Sequence, residues 1–415
     1  MVDHHQCGRL DDRYGIITWL FVDRGDDRRN YRVCLGIVTA LPQTDRNGLY
    51  QRWCPLSEAE WEKVDYRFIK RKVGKVRYRP LGRSGLLVSE LALGTMIFGE
   101  QSQRSTSPQE AEGIIHRFLD AGGNHIDTAN VYAEGRSEEI IGKALSSRRQ
   151  QVVLATKVRF STGPGPNDVG LSRYHILRSV EDSLQRLQTD VIDLLYMHSW
   201  DPLTPLEETL RTFDTLVTTG KVRYIGVSNI KAWHLMKALA TSDANGLERF
   251  VAAQYQYSLV ERAIEFEFTD LFLEEGVGLV PWGPLGGGFL SGKYQPGKRP
   301  KEPQEGRLAV QQDSDEEAWV RRSTERNWQI LAAVGDVVNA HPGSTYSQVA
   351  LAWLLAQPAV ASVIIGARTL VHLEDNLAAV ELKLSAQEIA RLGEVSAPEP
   401  GYPYRYLRNY GIRPY

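Results

Sequence analysis

From Val76 onward, short apolar runs alternate with longer segments of helical periodicity. Eight runs stand out, at residues 91–93, 125–127, 152–156, 191–197, 224–227, 251–253, 277–280 and 363–365. They are apolar on both faces and rich in Val, Ile and Leu, which is typical of buried parallel strands. The pattern therefore predicts eight parallel strands.

Two of the intervening segments carry clear helix signals. Ser107, Pro108 and Glu110 form a capping-box start, and the helical spacing that follows ends at Gly122 and Gly123. A second helix is predicted from Ser172. Its expected apolar stripe is Ile176, Leu177, Val180, Leu184 and Leu187. Both stripes are predicted to pack on the sheet.

Strand–helix alternation of this kind predicts a parallel sheet with helices outside it, closed as a (β/α)8 TIM barrel. A β-hairpin precedes the barrel, with arms at residues 76–81 and 86–88 and a turn at residues 82–85. The alternative is an open doubly wound sheet, which usually shows G-x-G-x-x-G after its first strand. Residues 94–99 do not fit that pattern.

The chain is predicted to divide into an N-terminal extension, residues 1–75, and a barrel domain, residues 76–415. The extension contains all three cysteines, and its apolar runs are interrupted by polar clusters. It is interpreted as a small accessory subdomain, a partly disordered arm, or an extension from a misassigned start codon, and the last two are preferred.

The charge and the cysteine content indicate which kinds of binding partner and which cellular compartment to expect. The formal net charge is −2, which favours neither nucleic acid nor an anionic membrane, and no apolar run is long enough to span a bilayer. Three cysteines without a CxxC motif favour a reducing compartment, so a cytoplasmic protein acting on a small molecule is expected. A zinc site built from His4, His5 and the cysteines would need a ligand spacing that is absent.

Four side chains that handle protons follow the predicted strands at the end where barrel active sites lie. They are Asp127, Tyr132, Lys157 and His198. Each alone is weak evidence, but the four share one rim. Because tyrosine has a pKa of ~10, a neighbouring ammonium from Lys157 is expected to lower it, with Asp127 orienting the lysine. Tyr132 would then donate a proton to a carbonyl oxygen that His198 polarises.

These residues carry a family resemblance. The segment from His125 through Tyr132, then Ala155-Thr156-Lys157 and Leu195-Tyr196-Met197-His198, resembles the aldo-keto reductase signature. The likeness extends over roughly residues 76–398, with features of the aryl-alcohol dehydrogenase and potassium-channel β-subunit branch. It implies the barrel fold, an Asp–Tyr–Lys–His tetrad, and NADPH bound in extended form without a Rossmann domain.

The resemblance also implies a set of cofactor contacts. Ser228, Asn229 and Gln254 would hold the carboxamide, Trp282 would stack on the nicotinamide, and Arg368 and Asn376 would bind the 2′-phosphate and the adenine. The full set predicted for NADP(H) is Gly94, Thr95, Met96, Asp127, Ser228, Asn229, Gln254, Trp282, Gly283, Leu285, Gly287, Leu290, Lys293, Gly366, Arg368, His372 and Asn376. Two of these depart from the family pattern: Gly283 stands where many members carry Ser, and His372 where many carry Gln or Glu.

Substrate contacts are predicted at Tyr132, His198, Phe98 and Trp200. Phe160 is either a further pocket residue or core. Residues 163–172 form either part of the substrate mouth or a plain loop. The charged, proline-rich segment 295–321 is interpreted as a mobile lid over the cofactor or a disordered loop.

The resulting hypothesis is an NADP(H)-dependent oxidoreductase that reduces an aldehyde or ketone, or runs the reverse oxidation, without a metal. The alternative is an NADPH-binding regulatory subunit of a membrane channel with little turnover. A metal-dependent hydrolase is disfavoured because the rim lacks a His/carboxylate ligand set. An oligomer is compatible with the sequence, and the substrate is left open.

Overall fold

The computed structural model of the chain describes residues 76–99 and 105–410, together with the backbone of two strands near the N-terminus. The chain divides into two compact units, residues 1–69 and residues 70–415. In the first unit, β1 (Thr18–Arg24) pairs antiparallel with β2 (Tyr31–Ile37), so that Thr18 lies opposite Ile37. The rest of the predicted extension, including His4, His5, Cys7 and Cys54, lies outside the described residues, so its nature stays a prediction.

The second unit contains an eight-stranded parallel sheet. Its strands are β5 (Leu91–Gly94), β6 (His125–Asp127), β7 (Val153–Val158), β8 (Ile192–Met197), β9 (Val222–Ser228), β10 (Phe250–Gln254), β11 (Gly278–Leu279) and β12 (Val363–Gly366). The strands from β5 to β11 pair in chain order, and β12 pairs with β5. Each predicted run overlaps one of these strands, so the predicted sheet is confirmed.

Backbone hydrogen bonds between the two ends of the sheet close it into a barrel. The Leu279 amide donates to Ala359 O at 2.9 Å, and the Ala361 amide donates to Leu279 O at 2.8 Å. Farther along, the Ile364 amide donates to Pro281 O at 2.9 Å. Since a closed barrel leaves no unpaired edge strand, the eight short strands need no further edge protection.

Helices follow the strands in alternation and surround the barrel. They are α1 (Pro108–Asp120), α2 (Arg136–Leu145), α3 (Arg173–Leu187), α4 (Leu206–Thr218), α5 (Ala232–Asn245), α6 (Phe268–Glu275), α7 (Arg307–Val310), α8 (Trp319–Arg322), α9 (Glu325–Ala340), α10 (Tyr346–Leu355), α11 (Leu370–Ala378), α12 (Ala386–Val395) and α13 (Tyr404–Tyr410). The (β/α)8 architecture is the one that the alternation predicted.

The helix starts follow their local sequence. At α1, the Ser107 hydroxyl accepts from the Glu110 amide and the Glu110 carboxylate accepts from the Ser107 amide, which confirms the predicted capping box. The stripe on α3 is confirmed except at Leu177, which is exposed because it falls outside the arc of the helix that faces the barrel. Four of five predicted positions therefore pack inward.

The hairpin covers the N-terminal end of the barrel. Its arms, β3 (Tyr78–Pro80) and β4 (Leu87–Ser89), pair antiparallel, and Leu81 and Val88 are fully buried with the residues of the barrel interior. At the turn, Gly82 has φ of +60°, and a Cβ there would lie 2.5 Å from two backbone oxygens, so only glycine fits this close approach. With that end covered, access to the barrel is from the carboxyl ends of the strands.

Candidate active site

Lys157, Asp127 and Tyr132 meet at the carboxyl end of the barrel. Lys157 Nζ lies 2.5 Å from Asp127 Oδ1 and 3.2 Å from the Tyr132 hydroxyl, and it donates to Thr128 O at 2.8 Å. The side chains of Lys157 and Asp127 are 0% and 4% exposed. The ammonium therefore has three oxygen partners in a buried position, so each interaction is stronger than at a surface.

Strand geometry explains the meeting of these groups. Asp127 is the last residue of β6, and Lys157 is the penultimate residue of the neighbouring strand β7. Tyr132 begins a short 3-10 turn in which Ala133 and Glu134 take the left-handed conformation, with φ of 50° and 58°. Backbone strain of this kind concentrates at functional sites. Here it returns the chain to α2 immediately after Tyr132 has reached the rim.

His198 completes the predicted group of four. It directly follows β8, its backbone amide donates to Val158 O at 3.1 Å, and its ring lies edge-on to that of Tyr132 at a centroid distance of 6.0 Å. Burial and the Lys157 charge hold the pKa of His198 well below its usual value. Its Nδ1 has no hydrogen-bond partner among the described residues. The imidazole is therefore neutral at physiological pH.

The charge balance at Tyr132 differs from the sequence expectation. Burial raises the pKa of Tyr132, and the lowering effect of Lys157 offsets this only in part, so the net direction is upward. Lys157 lowers the pKa of Tyr132, as predicted, but the prediction omitted burial, which raises that pKa by more. Burial also lowers the pKa of Lys157, but Asp127 and Tyr132 more than offset it, so the net shift is upward and the lysine stays charged.

A cavity of about 720 Å³ opens over these residues. Fifteen of the predicted cofactor residues line it, namely Gly94, Thr95, Met96, Asp127, Asn229, Gln254, Trp282, Gly283, Leu285, Gly287, Lys293, Gly366, Arg368, His372 and Asn376. Residues from Gly94 to Asn376 thus share one wall. The exceptions are Ser228 and Leu290, which are fully buried and do not line the cavity. Direct contact of these two residues with a cofactor stays a prediction.

Near Tyr132 the cavity wall is a network of amide groups. Asn229 takes the left-handed conformation, with φ of 53°, and its Nδ2 donates to His198 O and to the Ser228 hydroxyl. Its Oδ1 accepts from Trp282 Nε1 at 3.1 Å, and Gln254 Nε2 donates to Asp127 Oδ2 at 2.7 Å. Ser228 therefore positions Asn229. The amides next to the tetrad have the chemistry that a planar carboxamide needs.

The glycine-rich loop, residues 281–293, forms the next part of the wall. Gly283, Gly286, Gly287 and Gly288 have φ between 56° and 90°, a region that side chains strongly disfavour. A Cβ on Gly288 would lie 3.7 Å from Lys293 Nζ. Bare backbone beside an ammonium suits the close approach of a phosphate group.

At the far end, Arg368 and His372 flank the start of α11, where Thr369 provides the N-cap. Burial lowers the pKa of His372, and the positive charges of Arg368 and Lys293 lower it further. Asn376 Nδ2 donates to Gly366 O at 3.2 Å, which fixes that side chain in the wall. A guanidinium beside a helix N-terminus, with the Lys293 ammonium close enough to act on the same histidine, suits an anionic group. The residues present therefore fit an extended dinucleotide, with its carboxamide near Asn229 and a phosphate near Arg368.

Two predicted substrate residues lie elsewhere. Phe98 is fully buried in the main core, where it forms a bridge with Thr106, and Trp200 stacks on His234 at a centroid distance of 3.8 Å. Neither lines the cavity. Phe160, for which core packing was equally favoured, does line it, and its ring lies edge-on to His198 at 4.7 Å. Phe160, and not Phe98 or Trp200, thus joins Tyr132 and Trp282 in the aromatic part of the wall.

The loop at 163–172 does not line the cavity, which favours the plain connecting loop. Residues 295–321, here called the cover segment, do contribute to the lining, through Gln304, Glu305, Gly306, Arg307 and Glu317. Sequence reasoning identified the segment but none of these five residues, because no periodic or motif signal distinguishes them. The placement fits a cover over the cavity, and its mobility stays a prediction.

Comparison with known proteins identifies the family. The model of the Aldo/keto reductase family matches residues 90–397, which include every residue of the cavity wall. The chain belongs to the aldo/keto reductase family. It is therefore an oxidoreductase of a family that acts on small molecules.

The relatives are similar over nearly their whole length. An uncharacterized oxidoreductase of Bacillus subtilis (strain 168) is 40% identical over 337 residues, 79% of this chain and 97% of the relative. A protein of Arabidopsis thaliana named "Probable voltage-gated potassium channel subunit beta" is 35% identical, over 80% of this chain and 100% of its own. Aryl-alcohol dehydrogenase [NADP(+)] of Phanerodontia chrysosporium is 32% identical, over 80% of this chain and 89% of its own.

The described part of the chain also lacks two features. No group of three His, Cys, Asp or Glu side chains there is arranged to hold a metal ion. Of the helices that the structure describes, none has the length and apolar character needed to cross a bilayer.

Proposed function

We propose that the protein is an NADP(H)-dependent carbonyl reductase that interconverts an aldehyde or ketone and the corresponding alcohol. The observation that carries the proposal is the contact of Lys157 Nζ with Asp127 at 2.5 Å and with Tyr132 at 3.2 Å, inside a cavity whose wall fits a dinucleotide. The three cysteines of the sequence, without a disulfide motif, support a cytoplasmic location.

When bound, NADPH supplies a hydride to the carbonyl carbon. Tyr132 donates its phenolic proton to the carbonyl oxygen as the C=O π bond breaks, which gives the alcohol and a phenolate that solvent reprotonates. Lys157 stabilises that phenolate, and Asp127 keeps Lys157 charged and oriented. Neutral His198 places a ring nitrogen near the same oxygen and orients the substrate.

The phosphate-bearing form of the cofactor is proposed from the far end of the cavity. Arg368 and Lys293 act together on His372, so their charges converge on one region. A planar guanidinium there suits a 2′-phosphate, a group that NADH lacks. The name of the fungal aryl-alcohol dehydrogenase relative, which includes NADP(+), supports the same choice.

The test is a steady-state assay of NADPH oxidation with a panel of aryl and alkyl aldehydes and ketones. Wild-type protein should turn over part of the panel, and Tyr132→Phe should lose at least about 100-fold in kcat because the proton donor is gone. Unchanged turnover in Tyr132→Phe would refute the assigned role.

A second candidate, a regulatory subunit of a membrane channel, is favoured by the Arabidopsis relative, which this chain matches along all of that protein's length. It predicts tight NADPH binding with negligible turnover on the whole panel, and retention of the protein by channel-containing membrane fractions. Turnover of several per second without such retention would exclude it.

A further inference from the structure

A second phenol, that of Tyr196, lies in the barrel interior beside the candidate site, and the chemistry above does not use it. Tyr196 is the penultimate residue of β8, and it pairs in register with Lys157 on the neighbouring strand. Residues paired in register project from the same face of a sheet, so both side chains point into the barrel. Tyr196 is fully buried and does not line the cavity. It therefore lies next to the tetrad without direct access to a bound cofactor or substrate.

The barrel interior is shaped to hold this ring. On its other side Tyr196 pairs in register with Gly226 of β9, where a Cβ would lie 2.5 Å from the ring carbon Cε1 of Tyr196. Three alanines, Ala92, Ala155 and Ala252, belong to the same interior cluster. A phenylalanine ring would fill this space equally well, so packing explains the ring of Tyr196 but not its hydroxyl.

The Tyr196 hydroxyl is a buried polar group, and no described residue is in hydrogen-bonding geometry with it. Burial raises the pKa of Tyr196 well above its usual value, the negative charge of Asp127 raises it further, and the Gln254 amide lowers it in part. The hydroxyl therefore keeps its proton, and it lies close enough to Asp127 and Gln254 to be affected by both. A buried hydroxyl without a hydrogen bond is destabilising, and phenylalanine would avoid that cost.

One oxygen of Asp127 depends on a residue that the proposed cofactor also needs. Asp127 Oδ1 accepts from Lys157 Nζ, and Asp127 Oδ2 accepts from Gln254 Nε2 at 2.7 Å. Gln254 lines the cavity together with Asn229, where the amide network fits a nicotinamide carboxamide. If Gln254 turns to the carboxamide, the second oxygen of a buried carboxylate loses its donor, which is costly. The protonated Tyr196 hydroxyl can replace that donor.

We propose that Tyr196 is a positioning residue, whose hydroxyl donates to Asp127 Oδ2 while Gln254 binds the nicotinamide carboxamide of NADP(H). The exchange keeps Asp127 ionised and keeps Lys157 directed at Tyr132 in the complex. Only hydrogen bonds are exchanged, and Tyr196 touches neither cofactor nor substrate. This inference rests on the proposed NADP(H) dependence. The rival role for Tyr196 is that of a spacer whose ring fills the barrel.

Equilibrium binding to Tyr196→Phe, which keeps the ring and removes the hydroxyl, separates the two roles. Dissociation constants are measured by fluorescence or calorimetry for NADPH and for 2′,5′-ADP, which has no carboxamide and so leaves Gln254 on Asp127. Tyr196→Phe should raise the Kd for NADPH by about 10-fold, the effect of one hydrogen bond to a charged group, and leave the Kd for 2′,5′-ADP unchanged. Unchanged NADPH binding, or equal weakening toward both ligands, would overturn the proposal.

The Gln254→Leu background gives a second test. Without the Gln254 amide no exchange takes place, so the further change Tyr196→Phe should alter neither Kd. In urea unfolding without cofactor, Tyr196→Phe alone should leave the midpoint unchanged or raise it, because it removes an unpaired hydroxyl. The double variant should lose more than the sum of the single changes, because Asp127 Oδ2 then has neither donor. Additive changes in the midpoint would overturn the proposal.

Tyr255→Phe is the matched control. The Tyr255 hydroxyl is also buried, but it donates to Ile230 O at 3.0 Å, and Tyr255 does not line the cavity. This variant should lower the urea midpoint and bind both ligands as wild type does. A selective loss of NADPH binding in Tyr255→Phe would overturn the assignment to Tyr196. If wild-type protein failed to bind NADPH, the proposed function would fall, and this inference with it, whereas additive urea changes with intact NADPH binding would overturn this inference alone.

Discussion

Removal of the buried ammonium is the sharpest structural perturbation of the site. In Lys157→Met, the Asp127 carboxylate loses its partner at 2.5 Å in a position where its side chain is 4% exposed. Among the described residues, the side-chain donor that this carboxylate keeps is Gln254 Nε2, at 2.7 Å. One amide hydrogen bond does not replace an ion pair, so the variant must hold an uncompensated charge or protonate Asp127.

The expected loss is about 3–5 kcal/mol in the free energy of unfolding, as for other buried pairs broken on one side. Asp127→Asn should also be destabilising, because its amide oxygen can still accept from Lys157 but the buried ammonium loses its counter-charge. The double variant replaces the charged pair by two neutral groups. Its loss in the free energy of unfolding should therefore be at least about 2 kcal/mol smaller than the sum of the two single losses.

Urea unfolding of wild type, both single variants and the double variant measures this coupling. Arg117→Met with Glu374→Gln is the matched control, since that pair also meets at 2.5 Å but its side chains are 40% and 49% exposed. Its coupling should stay below about 1 kcal/mol. Additive losses at Lys157 and Asp127, or an equal coupling in the exposed pair, would refute the electrostatic reasoning. The double variant should stay inactive although its stability recovers.

Two further predictions concern pH and cofactor choice. Because burial and Lys157 lower the pKa of His198, and burial raises that of Tyr132, both groups keep their neutral forms around neutral pH. The kcat for reduction should therefore show no inflection near pH 6.5 and should fall only in alkaline solution, where Tyr132 loses its proton. The kcat for the reverse oxidation should rise in the same alkaline range. An inflection near pH 6.5 in the wild type that is absent in His198→Gln would contradict this expectation. Arg368→Ala should raise the Kd for NADPH about 10-fold or more and leave the Kd for NADH nearly unchanged, as measured by fluorescence titration. An equal loss of affinity for both cofactors would argue against a contact with the 2′-phosphate.

The barrel was predictable because its signals are local. Each strand is a short run of residues that are apolar on both faces of the sheet. Ser107 and Glu110 form a capping box, which marks the start of a helix from local sequence alone. The site residues at strand ends were predictable for a related reason. In a barrel, the position of Asp127 or His198 along its own strand also determines which rim it occupies.

Other features depend on contacts that no local pattern encodes. Phe98 lies four residues beyond β5, and only packing determines that it turns into the core. Glu317 lies within the cover segment, where composition indicates a charged loop, and its burial follows from contact with Gly283 and Gly287. The direction of the Tyr132 pKa shift likewise depends on burial, which the sequence does not report.

The proposed function depends most directly on Tyr132 as the proton donor to a carbonyl that is reduced on the enzyme. A single-turnover experiment tests this, with protein preloaded with NADPH and mixed rapidly with an aryl aldehyde while the 340 nm absorbance is followed. Wild type should consume one NADPH per site, and Tyr132→Phe should bind NADPH with the same Kd but transfer hydride at least about 100-fold more slowly. Equal rates in the two proteins would contradict the account.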